Sequence, residues 1–473
     1  MKDESAPPDA AAPGMLRGDH ERPFRQWPSL WREWVRARPN VRKALGNASY
    51  LFADRVARIV VGVFVGVWMA RYLGPEGFGV YSFALAFVYL LTPLTTLGLD
   101  SIVVRELVRE PASGAETLGT AWLLRLLGST AALVLCNVAI GLLRPEDALL
   151  RSLVAVVSVG PLFQTVDTID LWFQSRLQAG RSVAAKSVAF VIAAASKIVL
   201  ILAEAPLIAF AAVGVVELAL SAVAVGVAYA ASGHAITTWQ INWAKGRDLL
   251  RLSWPLAVSS MAIVTYMKID QVMLGEMLDA RAVGMYAAAT RVSELWYFIP
   301  MGIASSAFPL LVEVRARDAT LYRRRMQELF DGMAALAYAI AVPLALLSPW
   351  VIGMLYGPEF ADAGAVLAIH TWASVFVFLG VGQMPWDAAE GLTRLAMART
   401  LMGAVSKIGL NLVLIERFGL RGAAVATLLS YACSAWLGNL SDRRTRGIFL
   451  QQARALFVLR HLRVIPRNLR GAG

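Results

Sequence analysis

Twelve runs of roughly 20 apolar residues follow one another along the chain, near 48–69, 79–99, 118–142, 149–173, 183–203 and 206–231, then 252–275, 283–311, 332–356, 363–386, 398–415 and 420–441. That is the length an α-helix needs to cross the hydrocarbon core of a bilayer. The expected fold is therefore an all-α membrane protein of about 12 transmembrane helices. Composition agrees, because 16% of the residues are charged, against about 25% in soluble domains, and 58% are hydrophobic.

A net charge of +12 invites a nucleic-acid reading. The Lys and Arg are spread between the apolar runs and form no patch beside stacking aromatics, so no nucleic-acid partner is expected. Cys136 and Cys433 both sit inside apolar runs, which argues against a disulfide framework or a thiolate metal site. The first forty-odd residues are polar, Pro-rich and Arg-rich with no apolar core, so no cleavable signal is expected and the first span directs insertion.

Outside the spans, most Lys and Arg fall in the segments that share a side with both termini, the densest being Arg315, Arg317, Arg323, Arg324 and Arg325. Cytoplasmic loops carry that excess, so both ends are expected in the cytoplasm. The loops of the other side are too short to hold an external catalytic domain. The organisation reads as a basic tail (1–47), an N-lobe of six helices (48–231), a cytoplasmic linker (232–251), a C-lobe of six helices (252–441) and a second basic tail (442–473). Trp27, Trp31 and Trp34 beside Arg32, Arg36 and Arg38 suit an interfacial helix, and equally a disordered basic tail. From Phe449 to Val464, apolar residues alternate with Arg454, Arg460 and Arg463 in a way that suits a helix on the inner leaflet.

The two lobes read as duplicated. ARYLGPEGFGVYSF from Ala70 resembles GEMLDARAVGMYAA from Gly275 at an offset of 205, pairing Leu73 with Leu278, Gly79 with Gly284 and Tyr81 with Tyr286. Ser196, Lys197 and Ile198 match Ser406, Lys407 and Ile408 at an offset of 210. Six-helix repeats that both start on the same side are parallel. They are related by a pseudo-two-fold axis along the membrane normal, and a cargo would bind in a central cavity between them.

An Arg or Lys at a helix centre costs about 2.5 to 3.5 kcal/mol on insertion scales, so each needs a reason to be there. Arg55, Arg58, Arg125, Lys186, Lys197, Lys268, Arg291 and Lys407 raise that question. Asp54 with Arg58 and Arg291 with Glu294 have the spacing of local ion pairs, and Lys186 lies near enough to the surface to snorkel. Lys268 and Asp270 are two apart and point to different sides of one helix. Lys197 and Lys407 occupy repeat-related positions and are expected to face one another across the cleft. The positive excess favours a cationic central cavity for an anionic cargo, such as a lipid phosphate or an acidic sugar. The run Ala193 to Ser196 permits close helix packing, and Pro93, Pro161, Pro300, Pro309 and Pro343 can supply bends.

Four segments carry a resemblance: ARYLGPEGFGVYSFALAF, KIDQVMLGEMLDARAVGMYAAATRVSELW, MLYGPEFADAGAVLAI and GLRGAAVATLLS. Together they make the chain similar to the polysaccharide-biosynthesis, or O-antigen, flippases of the multidrug/oligosaccharidyl-lipid/polysaccharide exporter superfamily. The resemblance implies a transporter, not an enzyme, that moves a polyprenyl-pyrophosphate-linked oligosaccharide across a bacterial inner membrane by alternating access. It implies cargo-binding Arg residues in helices one and eight, which here are Arg55 or Arg58 and Arg291; the charge reading adds Arg125, Lys197, Lys268 and Lys407 to the cationic cavity. It implies no cofactor beyond a coupling H+ or Na+, for which Asp270, Glu217 and His370 are candidates that nothing in the sequence separates. Membrane lipids, a glycan polymerase and chain-length machinery would be partners. The Trp-bearing N-terminal tail is not part of the family pattern.

A drug or cation antiporter of the same superfamily would need acidic residues in its cavity. A membrane glycan polymerase would need a large outer loop or a carboxylate cluster, and neither pattern is present. For a purely structural membrane protein, so many intramembrane cations would go unexplained.

Overall fold

The computed structural model describes the backbone of residues 39–457 and, Arg55 apart, side chains from Asp54 to Phe457. The unit beginning at Val56 is taken here by itself. The expected interfacial helix around Trp27, Trp31 and Trp34 lies outside the described residues, as do Arg460 and Arg463.

The first two spans, α1 and α2, are the arms of the helical stretch Pro39–Tyr89, which breaks at Gly74 with φ +65°. Glycine reaches that region without a Cβ penalty, and Pro75 opens the next arm where its missing N–H costs nothing. The second arm, α2, continues through Thr92–Thr96 and Asp100–Arg109. Next come α3 (Gly114–Leu143), α4 (Ala148–Gln164, extended by Thr168–Ser175), α5 (Ala179–Leu202) and α6 (Leu207–Ala231). The second half holds α7 (Trp243–Met277), α8 (Ala280–Glu294 and Phe298–Arg317) and α9 (Ala319–Leu346 and Ser348–Tyr356). It ends with α10 (Ala363–His370 and Ala373–Ala389), then α11 and α12, the arms of Thr393–Ala435 broken at Gly419 with φ +58°. A last helix, α13, spans Arg446–Leu456.

Among the described residues, nine helical stretches are long and apolar enough to cross a membrane, and one of them, Val56–Arg109, holds both α1 and α2. The remaining pair, α11 and α12, complete the twelve. The chain is a multi-pass membrane protein. Its lipid-facing surface is apolar: only 17% of the α6 window is buried, and Leu142, Val191, Leu202, Val223, Leu346 and Val405 are exposed. The apolar-in, polar-out rule is reversed in α11, where Arg399, Gly403, Lys407 and Asn411, four residues apart, make one buried stripe while Val405 and Leu412 face outward. Helical periodicity puts such residues on one face, and in a bilayer that face turns inward.

The helices form two lobes, α1–α6 and α7–α12, and the repeat-related glycines lie between them. A Cβ on Gly79 would fall 1.7 Å from the Ala280 carbonyl oxygen, and one on Gly284 1.9 Å from the Pro75 carbonyl oxygen. Those contacts are reciprocal at the offset of 205, which is how a two-fold interface repeats itself. At this end a shared apolar cluster seals the lobes, with Met69, Phe78 and Phe83 from one and Val283, Ile352 and Phe360 from the other. Arg71 donates to the Leu355 and Met354 carbonyls at 2.7 and 2.5 Å, and Arg144 pairs with Glu276 at 3.2 Å.

Toward the opposite end the buried clusters separate. One joins α2 to α6 with the first turns of α7, and the other lies within α8–α10 and α13. The first turns of α7 thus rest on the N-lobe: Gly98 leaves room for the α7 backbone, where its Cβ would stand 2.6 Å from the Ala257 nitrogen. This helix begins at Trp243, inside the segment read as a linker.

The expected inner-leaflet helix near Phe449 is modified by packing. Ile448, Gln452 and Ala455 of α13 are buried against the C-lobe, and Tyr338 Oη donates to the Leu456 carbonyl at 2.9 Å. Only the face with Leu450 and Phe457 stays exposed. A cluster of Gln383, Asn439 and Gln452 amides, 2.9 to 3.0 Å apart, ties α13 to α10 and sits beside the buried Arg399–Asp387 ion pair.

Candidate functional site

The intramembrane cations are not gathered around one pocket. Lys197 of α5 pairs with Glu217 of α6 at 3.1 Å, inside the N-lobe. Lys407 of α11 pairs with Asp270 of α7 at 2.6 Å, inside the C-lobe, both side chains at most 3% exposed. The two lysines therefore do not face each other across a cleft. In lipid an ammonium gains most from a carboxylate on a neighbouring helix, and each lobe supplies one. The positions remain repeat-related: Glu217 lies 20 residues after Lys197, and Thr427 lies 20 after Lys407 and accepts its hydrogen bond at 2.5 Å. In the second lobe Thr427 stands where the first has its carboxylate, and the negative charge comes from α7.

The remaining cations follow the same logic. Lys268 reaches Glu294 at 3.8 Å, so Glu294 is not the local partner of Arg291 that its spacing suggested. Arg125 is ion-paired with Asp100. Lys186 is held by Asp167 at 2.8 Å and by Asp170. Arg58 donates to the Val183 carbonyl and to Ser187 Oγ at 3.1 and 2.9 Å and lies over the Phe190 ring, tying α1 to α5 within one lobe. The side chain of Arg55 is outside the described residues. Of the seven cations expected around one cavity, four, Arg125, Lys197, Lys268 and Lys407, are thus each held by a carboxylate.

Arg291 differs. Its guanidinium lies 4.8 Å over the Phe78 ring of the other lobe, and Gly66 of α1 makes room for it, since a Cβ there would stand 2.6 Å from Nη1. Among the described residues it has no carboxylate partner. It is the cation that α8 delivers to the junction of the lobes.

The polar centre of the C-lobe is a closed network. Asp270 accepts from Tyr286 Oη and from Asn411 Nδ2, each at 2.6 Å, and from Thr427 Oγ1 at 3.2 Å, in addition to the Lys407 ammonium. His370 Nδ1 meets Ser293 Oγ at 2.5 Å and its ring stands edge-on to Tyr286. Of the ion-coupling candidates, Asp270 and His370 are brought together around Tyr286, whereas Glu217 lies in the other lobe. Sequence reading missed Asn411, Tyr286 and Thr427. Asn411 could have been found as the residue four after Lys407 on the same helical face, and Thr427 through the repeat offset. Lys197→Ala removes one partly exposed interhelical pair and is expected to lower stability by about 1 to 2 kcal/mol, read as a modest drop of the thermal midpoint in detergent.

A cavity of about 330 Å³ lies inside the N-lobe between α2, α3 and α4 and includes Arg125 and Asp100 in its wall.

Two lobes of six helices, joined by a pseudo-two-fold contact and holding buried ion pairs, define an all-α membrane protein of two-lobed fold. Residues 44–315, more than half the chain, match the family described as polysaccharide biosynthesis protein, and the chain belongs to that family. It is similar to the probable low-salt glycan biosynthesis flippase Agl15 of Haloferax volcanii, 27% identical over 206 residues, covering 41% of this chain and 42% of that protein. It is also similar to the probable flippase AglR of the same organism, 33% identical over 180 residues, covering 35% and 36%. The matches thus span about two fifths of the length of these curated relatives. Among solved structures, the lipid II flippase MurJ in its inward closed conformation superposes with a TM-score of 0.65 at 14% identity, covering 89% of this chain and 93% of that one. An inward-facing MATE family multidrug resistance transporter gives 0.61 at 16%, covering 85% and 96%. These two likenesses concern the fold.

Proposed function

We propose that the chain is a flippase that carries a polyprenyl-pyrophosphate-linked oligosaccharide from one leaflet to the other by alternating access between its lobes, with no covalent chemistry. The observation that supports this reading best is Arg291: a guanidinium with no carboxylate partner among the described residues, at the junction of two lobes related by a pseudo-two-fold. Arg is suited to clamp a pyrophosphate with its fork of donors. Family membership and the names of the Haloferax relatives agree with it.

The excess of Lys and Arg on the side shared by the termini supports a cytoplasmic placement of both ends, in the cytoplasmic membrane. The cargo then moves outward, toward enzymes that polymerise glycans and set their length. Coupling to H+ or Na+ falls to the Asp270–Lys407 pair with His370 nearby, because this carboxylate sits where α7, α11 and α12 meet. The antiporter reading needs acidic residues in the cavity between the lobes, and the side chain that stands at their junction is the Arg291 cation, which weakens that reading.

The test is transfer of a labelled polyprenyl-pyrophosphate oligosaccharide across vesicles holding the purified chain. Arg291→Ala is expected to slow transfer at least tenfold and Arg291→Lys to restore part of it. Transfer by Arg291→Ala at the unmodified rate would remove Arg291 from the cargo path, and transfer no faster than in protein-free vesicles would remove the flippase reading.

A further inference from the structure

A metal cation inside the C-lobe would look for oxygen. Hard cations take carboxylate, amide and hydroxyl oxygens, and Asp270, Asn411, Thr427 and Tyr286 supply all three kinds within one buried cluster drawn from α7, α8, α11 and α12. By donor type alone the cluster fits a Na+ ion.

The point those oxygens approach is already taken. Lys407 Nζ lies 2.6 Å from Asp270 Oδ2 and 2.5 Å from Thr427 Oγ1, and the Tyr286 hydroxyl contacts the same two oxygens at 2.6 and 2.8 Å. The ammonium also stands 5.9 Å from the centroid of the Tyr431 ring, over its face, where the electron-rich side of an aromatic attracts a cation. A metal ion bound to Asp270 Oδ2 and Thr427 Oγ1 would stand beside this ammonium, and like charges so near repel strongly in a buried setting. Asp270 brings one negative charge, and the ammonium matches it. The cluster therefore has the oxygens of a metal site but no charge left for the metal. Its cation hangs from α11 by a covalent stem and cannot exchange with solvent. The repeat-related pair of the N-lobe differs, because Lys197 and Glu217 keep 20% and 25% of their side chains exposed.

We propose that the Lys407 ammonium is a tethered cation standing where a coupling metal ion would otherwise bind, so that the C-lobe excludes Na+ and the chain works without it. The exclusion follows from the network alone, and its consequence for transport rests on the flippase reading. Removing the stem should then turn the cluster into a cation site. Lys407→Ala deletes the charge and everything beyond Cβ, leaving Asp270 and Thr427 beside the vacated space. The same cluster holds Asn411 Oδ1, a buried acceptor with no hydrogen-bond partner among the described residues.

The test compares the full chain in mild detergent in NaCl and in choline chloride of equal ionic strength, reading the monodisperse fraction and the thermal midpoint. The unmodified protein is expected to behave alike in both salts. A ligand that binds only the folded state stabilises it by mass action, so Na+ is expected to raise the monodisperse fraction of Lys407→Ala about threefold or more over choline. Lys407→Met, whose side chain fills the same place, and Lys407→Ala with Asp270→Asn should not respond to Na+. A midpoint of the unmodified protein that Na+ raises selectively would overturn the proposal. So would Lys407→Ala behaving alike in the two salts, including loss of all folded protein in both, or a Na+ response that survives Asp270→Asn. In vesicles, transfer of the labelled lipid-linked oligosaccharide by the unmodified protein should run equally fast in the two salts, and a severalfold fall in choline overturns the proposal. Transfer in neither salt would remove the flippase reading, with the exclusion of Na+ decided by the detergent measurements.

Discussion

Lys407→Met is expected to strip most of the folded protein from the membrane. The substitution leaves Asp270, 3% exposed, with a charge that nothing else neutralises. Breaking one partner out of a buried ion pair costs about 3 to 5 kcal/mol. Tyr286, Asn411 and Thr427 still donate to the carboxylate but carry no positive charge. Adding Asp270→Asn removes the stranded charge, and the double variant should regain most of the folded protein, because a neutral pair of similar volume carries no desolvation cost. The measurement is the monodisperse fraction after extraction in mild detergent, with the thermal midpoint of each variant. A single variant as stable as the parent would show that Asp270 is not held by Lys407.

Gly79→Val should have a comparable effect through a different cause. Its Cβ would overlap the Ala280 carbonyl oxygen at 1.7 Å, and a backbone carbonyl in a packed helix cannot rotate out of the way. Overpacking a tight contact costs about 1 to 3 kcal/mol, and the backbone nature of the obstacle puts this case at the upper end. Gly284→Val meets the Pro75 carbonyl in the same way, so both substitutions strike one interface. Their effects should be less than additive, because the first already parts the helices. Additive losses in the double variant would mean that the two glycines do not share a contact.

Much of the fold was legible because a bilayer enforces simple rules. Each of the twelve apolar runs has a helix, and Gly79 with Gly284, chosen as repeat marks, turn out to lie on the pseudo-two-fold itself. The match of Lys197 with Lys407 extends to Glu217 and Thr427 at the same spacing. What the chain alone concealed was pairing. Counting cations against carboxylates suggested a positive pocket, but Asp270 and Lys407 are 137 residues apart, and no helical periodicity links them. Arg291 and Glu294 have the spacing of a local pair, but Glu294 is held instead by Lys268 of α7. The N-lobe cavity was hidden for a similar reason. Only the folded lobe brings Thr95, Arg125 and Gln164 to the same space as Asp167 and Asp170. The inner-leaflet reading of α13 captured one face of that helix. Gln452 and Ile448, on the other face, have no signal in composition that tells a docking surface from a membrane one.

Alternating access requires the seal at the Gly79 end to open in every cycle, and this can be tested by holding it shut. Arg71 and Met354 come from different lobes at that end, where the Arg71 guanidinium touches the Met354 carbonyl. With Cys136 and Cys433 replaced by Ala, Arg71→Cys and Met354→Cys would be joined by a reducible bifunctional thiol reagent in vesicles, and transfer of the labelled lipid-linked oligosaccharide measured before and after reduction. Transfer is expected to stop when the link forms and to return when it is reduced. Undiminished transfer by fully linked protein would contradict a mechanism in which the two lobes part at this end.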